Sequence, residues 1–324
     1  MLQIAVNSDQ NTQVIAKIQH PCFLMSAPFF VSADVVNNPV MQEVIDSLSP
    51  EDRVINIDLA LSQFQELYGF IASKALVYLL PSYPGLQDQT YVANLGIVLP
   101  HLTELTVVIS NYYSEVRRNE SEIGREFFKL MKFPKVMNAP EYFEGEADLK
   151  YLRDNVYCCA HGLRTSKTAL DWFAKSFDMK VIPIRMEDPY LYHLDCLFLP
   201  LSEDSVLACT EKLSPATQKE LEKYVRIYDL DSSLAIMATT NALILGKYIL
   251  VGTNRKRLDN KQDKYHQQEK DKLDFLEKLC TQINRELVIF DLSEFEKSGA
   301  ALSCLIMNLN YKNYNLNSIT HTSC

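Results

Sequence analysis

No stretch of this 324-residue chain approaches the roughly 18 consecutive apolar residues of a membrane helix, so no membrane span is expected. The N-terminus, Met1-Leu-Gln-Ile-Ala-Val, lacks a basic segment followed by an apolar one, which argues against a secretory signal. Positive charge is also short: 32 Lys and Arg against 41 Asp and Glu leave a formal charge of −9. Nucleic acid is therefore not an expected partner, because phosphate contacts need clustered basic side chains. The eight cysteines include no C-x-x-C pair, which removes the usual zinc-site and disulfide-framework patterns. Reduced thiols and a cytoplasmic location are expected. No G-x-G-x-x-G or G-x-x-x-x-G-K-[ST] run is present, and neither a metal nor an organic cofactor is implied.

What remains is an ordinary globular composition, 47% apolar and 23% charged, with ample length for a sizeable core. Short apolar runs come in pairs that read as hairpins. They are Thr90 to Asn94 with Leu105 to Ile109, Leu149 to Leu152 with Val156 to Ala160, Cys196 to Pro200 with Val206 to Thr210, and Ala242 to Leu245 with Tyr248 to Val251. A last apolar run, Leu287 to Phe290, is followed by Leu302 to Met307.

Helical patterns separate the pairs. Ser49-Pro50-Glu51-Asp52 opens one helix that continues through Ile57, Leu61, Phe64 and Tyr68; others start near Thr165-Ser166 and at Ser214-Pro215. A fourth carries Leu276, Leu279, Cys280 and Ile283. The recurring unit is a hairpin, a helix and another strand, repeated about five times in an α/β array. Arg255 to Lys272 has charges of both signs and reads as a solvated loop or helix extension. We expect a leader over residues 1–20, one catalytic domain over 21–311 and a polar tail over 312–324.

Three motifs carry chemistry. Ser298-Gly-Ala-Ala-Leu-Ser-Cys304 presents a thiol between a small-residue turn and an apolar run. An isolated cysteine of this kind is usually a buried small hydrophobe. Tyr192-His193-Leu194-Asp195 puts an imidazole and a carboxylate on one face of a predicted strand start. Glu144-Gly-Glu-Ala-Asp148 and Asp88-Gln-Thr-Tyr-Val-Ala-Asn94 add further acids and an amide. Together they supply a nucleophile, a base and hydrogen-bonding carboxylates, the parts needed to attack a cationic carbon. Glu146 and Asp148 read as solvent-facing or turn-capping acids.

In this order the motifs resemble the guanidine-modifying, or pentein, superfamily, and within it the dimethylarginine dimethylaminohydrolases and the arginine dihydrolase domain of cyanobacteria. The resemblance runs from Phe23 to about Tyr311 and includes Met25-Ser-Ala-Pro, Asn38-Pro39, Gly162-Leu-Arg-Thr165 and Asp291-Leu-Ser-Glu. It implies a five-bladed α/β propeller of repeated ββαβ modules. It further implies Cys304 as nucleophile, His193 as acid and base, Glu144 as the carboxylate that holds the histidine or the guanidinium, and Asp195 as a guanidinium partner.

Asp88, Arg118 and Arg164 match positions that grip the substrate's amino-acid end. Asn38 and Asn94 resemble the asparagine pair of the arginine dihydrolases, and Asn94 stands where deiminases of this fold carry a carboxylate. The expected activity is hydrolysis of a C–N bond of arginine or a methylated arginine through a covalent thiouronium. Transfer of the amidino group to an amine, and non-catalytic binding of arginine, remain alternatives. The expected partner is a small guanidino molecule; a homo-oligomer is left open.

Overall fold

The computed structural model describes residues 18–314. In chain order, β1 (Cys22–Met25) and β2 (Leu76–Leu79) pair in parallel, joined by the helices Pro39–Ser47, Pro50–Arg53 and Ile57–Ala72. A parallel pair needs such a long crossover, whereas an antiparallel pair closes through a short turn. The other modules use both connections. Strands β3 (Gly96–Leu99) and β4 (Thr106–Ile109) form a hairpin, and the helix Glu120–Leu130 returns the chain to β5 (Lys135–Asn138) beside β4.

The plan repeats with β6 (Leu149–Arg153), β7 (Val156–His161), the helix Lys167–Ser176 and β8 (Lys180–Arg185). It repeats again with β9 (Phe198–Ser202), β10 (Ser205–Ala208), the helix Pro215–Leu221 and β11 (Arg226–Asp229). Next come β12 (Ala242–Leu245), β13 (Tyr248–Thr253), the helices Arg255–Asp259 and His266–Gln282, and β14 (Glu286–Asp291). Finally β15 (Met307–Asn308) pairs antiparallel with β1, Phe23 opposite Asn308, so the fifth three-stranded sheet draws on both ends of the described chain. The result is a five-module α/β propeller.

The inner strands explain the apolar pairs in the sequence. β1, β3, β4 and β12 are buried along their whole length. They therefore read as continuous apolar runs, not as alternating ones. Helix starts follow the capping signals: Ser166 accepts from the Ala169 N–H at 3.2 Å and Ser214 from the Thr217 N–H at 3.1 Å. Each such cap stabilises its helix by about 1 kcal/mol.

Several expectations need correction. The helix opened by Ser49 stops at Arg53, and a separate one, capped by Asn56, runs from Ile57 to Ala72. Thr90 to Asn94 is not a strand: Val92–Asn94 is a 3-10 turn, and the strand starts at Gly96. The Cys196 to Pro200 run likewise opens with a 3-10 turn, Leu194–Cys196, before β9. Leu302 to Met307 holds a third turn of this kind, Ser303–Leu305, and then β15.

The charged run Arg255 to Lys272 is not wholly solvated. Glu269 and Lys272 are buried and paired at 2.7 Å, with Thr253 Oγ1 donating to Glu269 and Lys272 Nζ to the Gly252 carbonyl. Of the proposed leader and tail, residues 1–17 and 315–324 lie outside the described residues. Within the tail's described part Asn313 is buried and donates to the Ile244 carbonyl, so the packed body runs past Tyr311.

Candidate active site

Each module offers polar side chains on the segment just before an inner strand. Asn94 precedes β3, Glu144 precedes β6, His193 and Asp195 precede β9, Asn241 precedes β12 and Cys304 precedes β15. Four of these segments contain a 3-10 turn, which ends the approach tightly and aims side chains inward. Gly145 makes one approach fit: its φ is +65°, and a Cβ there would collide with the Ala93 carbonyl oxygen. The turns carrying Asn94 and Glu144 can therefore touch backbone to backbone.

His193 and Glu144 form the inner pair. Glu144 Oε2 lies 2.8 Å from His193 Nε2, and Oε1 accepts from the Ser114 N–H at 3.3 Å. Burial pushes the Glu144 carboxyl up, but His193, with Arg164 and Arg117 behind it, overcomes this and holds it at about 2. An ionised carboxylate only accepts hydrogen bonds, so Nε2 carries the proton. His193 Nδ1 has no hydrogen-bond partner among the described residues and is the ring atom left to exchange a proton. Asn94 Nδ2 stands 3.4 Å from the same Nε2; two donors facing each other make this a contact and not a hydrogen bond.

Cys304 and Asp195 form the outer pair. Cys304 Sγ lies 4.0 Å from Asp195 Oδ2, and Asn241 Nδ2 donates to the sulfur at 3.4 Å. Asn241 Oδ1 accepts from the Ser303 N–H at 2.8 Å, while Ser303 Oγ donates to Asp195 Oδ2 at 3.0 Å. Burial, and after it the Asp195 carboxylate, push the Cys304 thiol up to about 12. A cavity of about 160 Å³ is lined by Cys304, His193, Asp195 and Asn241 together with Tyr192 and Gly299. Glu144 and Asn94 stand behind the imidazole, off the cavity wall.

Asn241 was not anticipated from sequence. Thr239-Thr240-Asn241 reads as the polar lead into a strand, and no local pattern marks it. The repeat itself is the signal, because the matching place in every other module holds a site residue. Asp148 and Glu146, expected either to face solvent or to cap a turn, are both buried. Asp148 accepts from the Leu194 N–H at 3.2 Å and from Thr165 Oγ1 at 2.6 Å, fixing the turn that carries His193 and Asp195. Glu146 accepts from the Asn308 N–H and side-chain amide and from the Tyr311 hydroxyl, tying β15 to the axis. Burial raises their carboxyls to about 6 and about 7.

The amino-acid grip implied by the resemblance is only partly assembled. Arg118 is exposed and pairs with Glu115 at 3.2 Å, away from the cavity. Its neighbour Arg117 is the buried one, held by Glu120 at 2.7 Å and donating to the Asp88 and Tyr91 carbonyls. Asp88 is buried and accepts from Asn37 Nδ2 at 2.5 Å. Arg164 reaches Glu144 at 3.4 Å, donates to the Asn37 carbonyl at 2.6 Å and lies over the Tyr192 ring.

Asn38 does not face the cavity. Its Oδ1 caps the helix Pro39–Ser47 by accepting from the Met41 N–H at 2.9 Å, and its Nδ2 donates to the Ser298 carbonyl at 3.1 Å. Gly299 packs so closely on that amide, at φ +77°, that a Cβ would collide with it. Asn38 thus positions the turn before Cys304.

The family model described as "N,N dimethylarginine dimethylhydrolase, eukaryotic" matches residues 32–311. A bifunctional arginine dihydrolase/ornithine cyclodeaminase of Nostoc, AgrE, is 26% identical over 299 residues, 89% of this chain and 37% of that relative. The chain therefore spans well under half the length of that relative. An N(G),N(G)-dimethylarginine dimethylaminohydrolase of Mycobacterium tuberculosis is 24% identical over 200 residues, 61% of this chain and 62% of the relative. Among solved structures, a substrate-bound variant of the N-terminal domain of ArgZ, a cyanobacterial arginine dihydrolase, superimposes with a TM-score of 0.75 at 23% identity. It covers 90% of this chain and 98% of its own.

Proposed function

Because the chain belongs to the N,N dimethylarginine dimethylhydrolase family, we propose that it is a cysteine hydrolase cleaving a C–N bond in the guanidinium group of arginine or a methylated arginine. The observation that carries this reading is the convergence of Cys304, His193 and Asp195 on one cavity, with Glu144 fixing the imidazole from behind. Asp195 holds guanidinium N–H groups by charge-assisted hydrogen bonds. Cys304 Sγ gives up its proton to His193 Nδ1 as it adds to the guanidinium carbon, and the departing amine takes that proton from His193 as its C–N bond breaks, which leaves a thiouronium on the sulfur. His193 then takes a proton from water as the hydroxide attacks that carbon, and the C–S bond breaks to release a ureido product.

The raised thiol belongs to this scheme. In the free protein the Asp195 carboxylate opposes a second negative charge on Cys304. A bound guanidinium neutralises that carboxylate and brings positive charge to the sulfur, so nucleophile formation is coupled to the arrival of a cation. Alkylation of Cys304 by neutral iodoacetamide should therefore climb about tenfold per pH unit between pH 7 and 10. Asp195→Asn should speed it at neutral pH. Mass mapping of the Cys304 peptide reads the rate, and a plateau below pH 9 in the unmodified protein would contradict this account.

The activity itself is tested by incubating the protein with arginine, asymmetric dimethylarginine and agmatine and identifying the products by mass. Release of ammonia or dimethylamine with a ureido or fully cleaved product is expected from at least one of the first two. No turnover of any of the three would overturn the proposal.

A further inference from the structure

The segment that brings Asn241 to the sulfur is built under constraint. After the helix Ser232–Ala235 the chain turns through Ala238, whose φ of +54° lies in the left-handed region that a residue with a Cβ seldom enters. The Asn241 N–H donates to the Ala238 carbonyl at 3.1 Å and closes that turn. Thr239 Oγ1 donates to the Leu234 carbonyl at 2.5 Å, and Thr240 Oγ1 to the Asp195 carbonyl at 2.9 Å. Thr239, Thr240 and Asn241 are all buried, so three polar residues in a row are committed to fixing one amide beside Asp195.

That amide can meet the sulfur in one orientation only. Its Oδ1 accepts from the Ser303 N–H at 2.8 Å, and a rotated amide would set its NH2 against that N–H, donor to donor. Nδ2 is therefore the atom that faces Cys304 Sγ, at 3.4 Å, and the sulfur is its one hydrogen-bond partner among the described residues. Asp195, on the other side, is negative and accepts only, which suits a thiol or a bound guanidinium and opposes a thiolate. A neutral donor has the opposite preference, because its hydrogen bond strengthens when the acceptor is charged. The other ionisable neighbours do not replace it. Burial holds Cys196, Tyr192 and Tyr91 neutral, His193 is the proton acceptor, and Lys150 of β6 acts on the sulfur after Asn241 and from the axis.

We propose that Asn241 is a further catalytic residue, the donor that stabilises the Cys304 thiolate when it attacks the guanidinium carbon and again when it is expelled. The inference rests on the guanidino-hydrolase reading for those two steps. In the first, the thiol proton passes to His193 Nδ1 as the S–C bond forms. In the last, the C–S bond breaks, its electron pair returns to the sulfur, and the proton that His193 took from water restores the thiol. Between them the sulfur is bonded to carbon and accepts only weakly, as a thioether does. The Nδ2 contact is thus strongest in the states that flank the intermediate and lowers both barriers.

The test separates the donor from the acceptor. Asn241→Leu removes both without adding charge, whereas Asn241→Asp keeps an acceptor for the Ser303 N–H and removes the donor. In both variants alkylation of Cys304 by iodoacetamide at fixed pH should slow at least about tenfold, the loss expected of one hydrogen bond to a charged group. The Cys196 peptide, from the same cavity, should keep its rate and so control for access. The kcat for arginine should fall by at least the same factor with KM within about twofold, because Nδ2 touches the sulfur and not the ligand. The melting temperature should drop in the leucine variant and recover in the aspartate one. A role confined to holding Ser303 predicts instead that aspartate restores alkylation and kcat. That result, or parent-like alkylation in the leucine variant, would overturn the assignment. Should the leucine variant not fold, the aspartate variant decides by the same two rates. Should the unmodified protein turn over no guanidino compound, the hydrolase reading fails by itself, and alkylation alone decides what Asn241 does at the sulfur.

Discussion

Replacing Cys304 with serine is expected to abolish turnover, a loss of at least about a thousandfold, while the melting temperature stays near that of the parent. A hydroxyl is far less ionised than a thiol, and deleting a nucleophile costs more than any single positioning contact. The substitution is nearly isosteric, and Asn241 Nδ2, which now donates to the sulfur, can donate to the hydroxyl instead. The result is read from steady-state rates and from a substrate-sized adduct that forms on Cys304 in the parent and not in the variant. Full activity in the serine variant would remove Cys304 from the chemistry. So would an adduct on Cys196, the other half-buried thiol among the described residues, or on Cys280.

The second large effect is expected at His193. His193→Ala should lower kcat by at least about a hundredfold, the scale of a lost acid–base group. It should also weaken the fold towards acid. The Glu144 carboxyl sits at about 2, below its ordinary 4.5, so its stabilisation is present above pH 4.5 and fades as pH falls towards 2. Without His193 the burial that pushes this carboxyl up is less opposed, and acid unfolding should begin at a higher pH. His193→Gln keeps an N–H donor for Glu144 and should recover part of the acid stability with no recovery of rate. Parent-like rates in both variants would place the proton transfer elsewhere.

Much of this was legible in the sequence where local chemistry decides. The modules from β6 to β14 appear as apolar pairs because β7, β9, β10 and β12 are buried along nearly their whole length, and helices at Ser166 and Ser214 announce themselves by their caps. The misreadings share one cause. Thr90 to Asn94 and Leu302 to Met307 are apolar because they are buried around the axis, and burial alone does not distinguish a strand from a 3-10 turn. The helix Glu120–Leu130 went unread because it is rich in charge, with only one residue in each turn or so reaching the core.

The site divided along the same line. Cys304, His193, Glu144, Asp195 and Asn94 lie in local motifs, and the fold gathers them around one axis. Asn241 does not lie in a motif, and its place is visible only once five modules are superposed in the mind. Glu269 with Lys272, and Glu43 with Tyr265, depend on partners across the fold that no local window contains.

The antiparallel pairing of β15 with β1 joins Phe23 to Asn308, the most sequence-distant strand contact among the described residues. Closing such a loop costs more chain entropy than any neighbouring hairpin, so it forms late when the chain folds and opens early under stress. Cys304 sits just before β15, on the turn that Asn241, Asp195 and Asn38 together hold in place. A chain emerging from synthesis is therefore expected to assemble four modules before the Cys304 thiol meets Asp195 and Asn241. When the seam parts, the thiol is expected to leave its carboxylate and its amide donor in the same movement, before the bulk of the protein has unfolded.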